Sequence, residues 1–210
     1  MAFRPENVCE MALDRDESKH LLDVLKWLTA QIDEVNVPLF LDAIIKGLLT
    51  YVDVLAADPH GNPLIKFVLT APALARQGEY IIDNYMLDHI LELSQDKLGS
   101  HLLEAALQHA APVYVAKIFD EVLQGYEARA AKADDSPGTP LSALEVMMFD
   151  QFGNYVIQEM LKVAREVKEG RQHGMPSWFH AIWATAKKNS RHLARFIYGR
   201  KILKTAQIRH

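Results

Sequence analysis

The sequence has 210 residues, half of them hydrophobic, with a formal net charge of −4 and a single cysteine. This apolar content is enough for a packed core, and the sequence shows neither a membrane-spanning apolar run nor a secretory signal pattern at its start. A single cysteine excludes a framework of intramolecular disulfides and fits a reducing compartment. The composition therefore excludes a disulfide-stabilised secreted domain and a membrane-spanning protein.

The spacing of apolar residues predicts helices throughout and no β-sheet. In chain order, the predicted helices cover residues 5–13, 19–34 and 38–55, then a helix that follows a turn at 58–61, and then residues 79–94, 100–109 and 112–131. We expect Trp27 on the packed side of its helix and Cys9 as a small buried hydrophobic residue. Trp178, Phe179 and Trp183 follow helical spacing and are expected in the core.

Residues 133–140 interrupt the helical pattern with Asp, Ser, Pro and Gly. This composition predicts a surface loop that tolerates changes in length. Two interpretations remain open: an inert insertion, or a docking loop for a protein partner at residues 125–143.

One sequence pattern recurs along the chain: Asp, two residues, Gly, a small polar residue, a variable residue, two aliphatic residues and a second variable residue. Its copies begin at Asp58, Asp96 and Asp150, with a fainter copy at Asp16 that lacks the Gly and a weak copy at Tyr198. The first polar positions are Lys19, Asn62, Ser100, Asn154 and Arg200. Their steps of 43, 38, 54 and 46 residues are typical of stacked helical repeats. We predict an all-α, right-handed curved solenoid over residues 1–210, with four repeats and a C-terminal capping half-repeat.

The copy at residues 150–161 has the clearest chemistry. Gly153 supplies backbone freedom for a turn, and the amides of Asn154 and Gln158, four residues apart, are expected to point outward from the same side of a helix. Tyr155 lies one step round the helix, beside these amides. The opposite side is apolar and is expected to be buried. This combination predicts a binding site for a flat polar ligand.

The charge distribution is uneven. Residues 161–210 contain twelve Lys and Arg against two Glu, a net charge of +10, so the other 160 residues carry −14. A basic end on an acidic body can bind a polyanion locally, although a solvated helix surface is the simpler explanation for most runs of charge.

With these motifs identified, three segments resemble the Pumilio (PUF) family: residues 150–158 its RNA-reading helix, residues 93–104 the preceding repeat, and residues 192–203 the closing half-repeat. The resemblance covers roughly residues 85–205, whereas residues 1–70 fit only loosely. It implies a single-stranded RNA ligand, with one base read by two or three side chains of each repeat. It also implies a cytoplasmic protein that binds messenger RNA 3′ untranslated regions and lowers translation or transcript lifetime through partner proteins.

The resemblance assigns base contacts to two repeats. Two mixed donor–acceptor amides suit uracil, whereas an ionised carboxylate suits the adjacent N–H donors of guanine, and neighbouring rings can stack on bases. The RNA runs antiparallel to the repeats in this family, so the site is predicted to begin with U-G. The assigned residues are Asn154, Tyr155 and Gln158 for U, and Ser100, His101 and Glu104 for G.

The other repeats depart from the family pattern. Asn62 and Lys66 occupy the next reading positions, but lysine cannot accept a hydrogen bond and is better suited to a phosphate. Lys19, His20 and Asp23 match no reading code. Arg200 and Lys201 resemble the end cap and are expected to contact the RNA backbone.

Other functions remain open. A protein-binding scaffold of armadillo or HEAT type, or a nucleolar PUF-like factor acting on ribosomal RNA precursors, would share the helical-repeat pattern. Catalysis is not expected, because Ser100 and His101 are adjacent and point about 100° apart on a helix. No cofactor or metal ligand set is predicted. With fewer than the eight repeats of a full PUF domain, the chain is expected to be a C-terminal fragment or a reduced member, and its exposed repeat ends favour self-association.

Overall fold

The computed structural model describes residues 4–124 and 141–208. These residues form helices and turns with no β-strand, which confirms the all-α class. In the same ranges, no helix is both long and apolar enough to cross a membrane. The predicted insertion at 133–140, and most of the candidate partner site at 125–143, lie outside the described residues.

The chain divides into two compact units, Met1–Met86 and Leu87–His210. In the first unit, α1 (Pro5–Leu13) packs on α3 (Val37–Thr50), and α2 (Glu17–Ala30) packs on α5 (Asn62–Thr70). The helices of this unit are α1 (Pro5–Leu13), α2 (Glu17–Ala30), α3 (Val37–Thr50), α4 (Val52–Ala57), α5 (Asn62–Thr70), a short 3₁₀ turn (Pro72–Leu74), α6 (Ala75–Ile81) and a π-helical turn (Ile82–Met86).

The second unit is built around α11 (Gly153–Lys168), the longest helix in the described residues. The helices of this unit are α7 (Ile90–Gln95), α8 (Lys97–His109), α9 (Pro112–Leu123), α10 (Ala143–Phe149), α11 (Gly153–Lys168), α12 (Ser177–Lys188), α13 (Ser190–Leu193) and α14 (Ile197–Thr205). Helix α11 packs between α8 and α14. These three are the second helices of successive repeats, so their side-by-side row is the arrangement that the sequence period predicts.

Several predicted helix boundaries are wrong, including the end of the predicted helix at 19–34, which stops at Ala30. Residues 79–94 do not form one helix, because Asp88 adopts a φ of 68°, which an α-helix cannot continue through. The predicted helix at 38–55 is divided at Tyr51, which has a non-helical conformation. The helix starting at Pro112 ends at Leu123, and residues 125–131 lie outside the described ranges.

The buried side of α11 agrees with the sequence. Val156, Ile157, Met160 and Leu161 are all fully buried, and burial of each such side chain contributes roughly 1.5–3 kcal/mol. This apolar stripe fixes the rotation of α11 about its axis. The opposite side of the helix must therefore face solvent or a ligand.

The predicted core positions of the aromatic residues are confirmed only in part. Trp178 is buried and stacks on Phe119 with ring centroids 4.1 Å apart, as expected for a core residue. Phe179 and Trp183 are only half-buried. The prediction for Trp27 is wrong: its side chain is 59% exposed, because the leucines at 21, 25 and 28 form the packed side of α2 instead. Cys9 is half-buried, and burial raises the pKa of its thiol.

Candidate nucleic-acid interface

Each repeat enters its second helix through the same turn. One carboxylate oxygen accepts hydrogen bonds from the backbone N–H groups two and three residues later, at 2.7 to 2.9 Å. The residues that provide this oxygen are Asp14, Asp58, Asp96 and Asp150. A short acceptor at this place satisfies donors that a helix start leaves unpaired. The turn therefore provides an independent marker for the register of each repeat.

In the three repeats that have a glycine in the turn, the two helices approach each other closely at that glycine. A Cβ built on Gly61, Gly99 or Gly153 would lie 2.6 to 2.9 Å from the carbonyl oxygen of the residue six positions earlier. Real Cβ atoms do not come that close, so the second helix could not pack against the first. Gly153 is therefore required for this contact, and not for the backbone freedom that the sequence suggested: among the described glycines, only Gly170 has a positive φ.

The small polar residue four positions after the Asp of the turn is buried in all four repeats, whereas Arg200, at the equivalent position of the cap, is exposed. In the repeats, this residue is 5% exposed or less and donates a hydrogen bond to a backbone carbonyl of the preceding turn, at 2.8 to 3.4 Å. The residues at this position are Ser18, Asn62, Ser100 and Asn154. The prediction that Asn154 points its amide outward is wrong: the side chain is fully buried, and its nitrogen is bonded to the carbonyls of the turn.

The same turn corrects the register of the first repeat. Asp14 accepts the two N–H bonds, so Glu17 takes the place of the glycine and Ser18 takes the place of Ser100. The sequence register had started at Asp16 and counted Lys19 as the first polar position. That register is therefore wrong by one residue: the buried polar position is Ser18 and not Lys19. The spacing of Asp14 and Ser18, equal to that of Asp96 and Ser100, is the signal that could have identified it.

The residues that face outward are the variable ones. In α11, Tyr155 is 44% exposed and Gln158 is half-buried. In α8, His101 is exposed and Glu104 is half-buried, and in α5 Lys66 is exposed. Since α8 and α11 pack side by side, their two outward pairs lie on neighbouring helices at the same position after the turn. The structure thus places Tyr155 and Gln158 on a helix that packs directly against the helix of His101 and Glu104.

Asn154 acts on this surface through Gln158. The Gln158 side-chain nitrogen Nε2 donates to the Asn154 side-chain oxygen at 3.0 Å and to the Asn154 carbonyl at 3.3 Å. The Asn154 amide nitrogen donates in turn to the carbonyls of Gln151 and Asp150. Asn154 therefore anchors Gln158 to the turn and limits its rotamers.

The cap contributes two cations next to this surface. The Lys201 ammonium lies 5.5 Å from the centre of the Tyr155 ring, within the range of a cation–π contact. Arg200 is exposed, and its guanidinium donates to the Ala194 carbonyl at 3.0 Å. Lys201 thus covers part of the Tyr155 ring, while Arg200 keeps further donors available.

A cavity of about 600 Å³ lies in the same unit at the C-terminal end of α11. Its walls include Arg165, Lys168, Phe179 and Trp183. Lys168 lies 4.7 Å from the centre of the Phe179 ring, and Lys187 lies 4.6 Å from that of Trp183. The two half-buried rings therefore make cation–π contacts with lysines. Both rings and both lysines lie in residues 161–210, the basic segment of the sequence.

Comparison of the sequence with known proteins finds similarity to one family. A model described as the Pumilio-family RNA binding repeat matches residues 89–123 and 146–167. Fem-3 mRNA-binding factor 1 of Caenorhabditis elegans is 30% identical over 96% of this chain, and Pumilio domain-containing protein 5 of the same organism is 28% identical over 73%. The chain spans about a third of the length of these curated relatives, 34% and 28% respectively.

Solved structures show the same fold. The structure of PUF-6 in complex with an RNA has a TM-score of 0.81 at 20% identity and covers 95% of this chain and 54% of that one. The Puf3 RNA-binding domain, bound to a 3′ UTR recognition sequence, has a TM-score of 0.74 at 17% identity, with 96% and 54% covered. The helical-repeat architecture predicted from the sequence period is confirmed.

Proposed function

Because the chain belongs to the Pumilio family of RNA-binding repeat proteins, we propose that it binds single-stranded RNA through the outward residues of α8 and α11. The observation that carries the proposal is the neighbouring position of the pairs His101 with Glu104 and Tyr155 with Gln158. Each pair combines a ring with a hydrogen-bonding group, which is the combination that stacks on one base and bonds to its edge.

The two pairs differ in the base that they suit. An ionised Glu104 offers only acceptors, which match the adjacent N–H donors of guanine. The amide of Gln158 carries a donor and an acceptor, which match the mixed edge of uracil once its nitrogen exchanges a bond to Asn154 for one to the base. Ser100 and Asn154 support these contacts from beneath, since both are buried. The proposed site begins with U-G.

The surrounding cations fit a polyanion. Lys201 lies beside Tyr155, and in this proposal Lys201 and the exposed Arg200 contact the RNA backbone; in the first unit, the exposed Lys66 would do the same. Phosphate contacts of this kind contribute affinity without base selection. In this proposal, residues 1–210 form one RNA-binding array with four repeats and a cap.

The biological role follows from the relatives by analogy alone. We place the protein in the cytoplasm, on messenger RNA 3′ untranslated regions, where it lowers translation or transcript lifetime without catalysing a reaction. A protein partner at residues 125–143 and self-association through the repeat ends belong to the same proposal.

The test compares a labelled single-stranded RNA containing UGU with one in which the G is changed to C, at several salt concentrations. Sequence-selective binding weakens by ~1–3 kcal/mol on the base change, by analogy with other single-base discriminations. A purely electrostatic binder, such as a nonselective ribosomal RNA factor, loses affinity with salt but ignores the base. A protein scaffold binds neither RNA, and that result would overturn the proposal.

A further inference from the structure

The register set by the Asp turns shows which side of each second helix packs inside its own repeat. Positions are counted from the buried polar residue, which is Ser18 in α2. The third and seventh positions after it are buried in the first repeat, as Leu21 and Leu25, and they are buried in α11 as Ile157 and Leu161. This side of the helix is therefore covered in the first repeat as well as in a later one.

The second and sixth positions differ between the first repeat and the later ones. They are fully buried in α5 and α11, which follow α2 and α8 in the chain and pack against them. The four residues are Leu64, Val68, Val156 and Met160. In α2, the same positions are occupied by His20, which is exposed, and by Val24, which is 45% exposed.

The cap shows that these two positions face the preceding helix and not the following one. Gly199 makes the same close approach in the cap as Gly153 makes in its repeat, which fixes the register of α14. Ile202 and Ala206 then hold the second and sixth positions, and both are buried, although no further repeat follows α14 in the part of the chain that the structure describes. In α2 the opposite holds, since α5 packs on it and these positions stay uncovered.

The uncovered side of α2 is apolar at its centre. Trp27, nine residues after Ser18, is 59% exposed, whereas Val163, at the same position of α11, is 4% exposed. His20, Val24 and Trp27 are spaced by four and three residues, which is the spacing of a seam between two helices. We call these three residues the open face of α2. It corresponds to the face on which other second helices of this chain receive a neighbouring helix.

The charges beside the open face are neutralised within one copy of the chain. Lys19 is paired with Asp16 at 3.0 Å, and Lys26 is paired with Asp23 at 3.1 Å. These four residues therefore contribute no net charge that would repel an identical helix.

The cap offers a less suitable surface for the open face. Arg200, Lys201 and Lys204 are all exposed on α14, at spacings of one and three residues. These cations are best solvated by water, whereas Val24 gains most from contact with another apolar side chain. An identical apolar face is therefore the better match.

We propose that the open face of α2 binds the same face of a second copy of this chain, as an antiparallel pair with two-fold symmetry. The seam is symmetric about the midpoint between Val24 and Trp27, so each Val24 packs on the partner's Trp27. This inference rests on the self-association included in the proposed function and adds the surface that carries it. A contact of about two helical turns belongs to the small, transient class of interfaces, so the dissociation constant is on the order of 10–100 µM.

Sedimentation equilibrium of the nuclease-treated chain, from about 1 to 200 µM, tests the pairing. The mass rises with concentration from that of a monomer to that of a dimer and no further. Val24→Asp places a carboxylate in the apolar seam and raises the dissociation constant at least ~tenfold. Val54→Asp is the matched control, because Val54 is also 45% exposed and lies on α4 of the same unit; it changes the constant by less than about twofold.

A second variant, Trp27→Asp, also raises the dissociation constant at least ~tenfold and decides the matter where Val24→Asp does not fold by circular dichroism. Raising the salt to about 0.5 M leaves an apolar pair intact but weakens a contact that depends on charge. A monomer at every concentration would overturn the inference, and so would equal weakening by Val24→Asp and Val54→Asp.

Head-to-tail stacking of the first repeat on the cap is the competing arrangement. It produces species larger than a dimer, and Lys204→Glu alters it, whereas the proposed pair is indifferent to Lys204. Either observation contradicts the inference.

Titration with the UGU-containing RNA separates this inference from RNA binding. At chain concentrations far below the dimer dissociation constant, Val24→Asp leaves the RNA affinity unchanged, because Val24 belongs to no proposed RNA contact. A chain that dimerises through α2 but binds no RNA contradicts only the proposed RNA binding. A chain that binds RNA but stays monomeric contradicts only the α2 pairing.

Discussion

At the residue scale, the interface combines buried and outward side chains that the sequence does not distinguish. Asn154 and Gln158 are both amides on one helix, yet Asn154 is fully buried and Gln158 is half-buried. The buried amide uses its donors on two carbonyls and its oxygen on Gln158. Stability and recognition are therefore assigned to different residues of the same motif.

We expect Asn154→Ala to destabilise the fold by ~1–3 kcal/mol, because it removes buried hydrogen bonds, including the one that the side chain donates to the Gln151 carbonyl. Gln158→Ala, which truncates a half-buried amide four residues away, should have a much smaller effect on stability but a larger one on RNA affinity. Urea unfolding measures the stability of the two variants, and titration with RNA measures their affinity. Equal stability of the two variants would contradict the assignment.

Glu104→Gln tests the proposed contact with guanine. The change keeps the shape of the side chain but replaces one acceptor by a donor, so it should reduce the preference for G over C by ~1–3 kcal/mol. Glu166→Gln makes the same change of charge at an exposed position of α11 and should leave the preference intact. Binding of both RNAs to both variants provides the measurement.

At the element scale, the turns that contain Gly61, Gly99 and Gly153 include a contact too close for any side chain. We expect Gly99→Ala to destabilise the second unit by ~1–3 kcal/mol, since the added methyl group would lie 2.6 Å from the Leu93 carbonyl oxygen. Gly78→Ala is the control: the nearest atom is 3.3 Å away, the residue lies within α6, and alanine is the better helix former. A thermal or urea unfolding curve that shows equal losses for the two variants would rule out this explanation.

The start of α10 provides a pH-dependent element. Ser142 and Glu145 form a capping box, in which the Glu145 N–H donates to the Ser142 hydroxyl and the Ser142 N–H donates to the Glu145 carboxylate. Although burial opposes it, these bonds with Ser142 hold the pKa of Glu145 below its usual value. The ionised carboxylate is thus favoured by folding, and its contribution is complete above the unfolded pKa of 4.5 and lost as the pH falls through the lower folded value.

We expect Ser142→Ala to cost ~0.5–2 kcal/mol near neutral pH. The difference from the unaltered protein should shrink as the pH falls below 4.5, because the hydrogen-bonded carboxylate becomes protonated in both. Urea unfolding at a series of pH values measures this difference. A difference that stays constant down to strongly acidic pH would contradict the role of Glu145.

The sequence predicted element type better than it predicted register. The apolar stripe of α11 and the period of the repeats were readable, since both depend on local spacing that burial enforces. The burial of Asn154 was not, because it depends on how closely Gly153 approaches Met147 in another helix. The first repeat differs: with Glu17 in place of the glycine, the register rests on the spacing of Asp14 and Ser18, and the hydrogen bonds of Asp14 establish it.

At the scale of the whole molecule, charge and chemistry are distributed unevenly. The net charge of −4 conceals a basic final segment of +10, and the cation-bearing rings Phe179 and Trp183 lie in that segment. The chain can therefore remain soluble while one region attracts a polyanion. Affinity for RNA should depend steeply on salt even though the protein as a whole is acidic.

The three tryptophans lie in different environments, so their fluorescence can distinguish different parts of the chain. Trp27 belongs to the first unit and is open to solvent, Trp178 is enclosed against Phe119, and Trp183 lies beside the Lys187 ammonium. A soluble quencher such as iodide would extinguish the emission of Trp27 first and that of Trp178 last. Unfolding of either unit can consequently be followed by fluorescence in single-tryptophan versions of the protein, without attaching a dye.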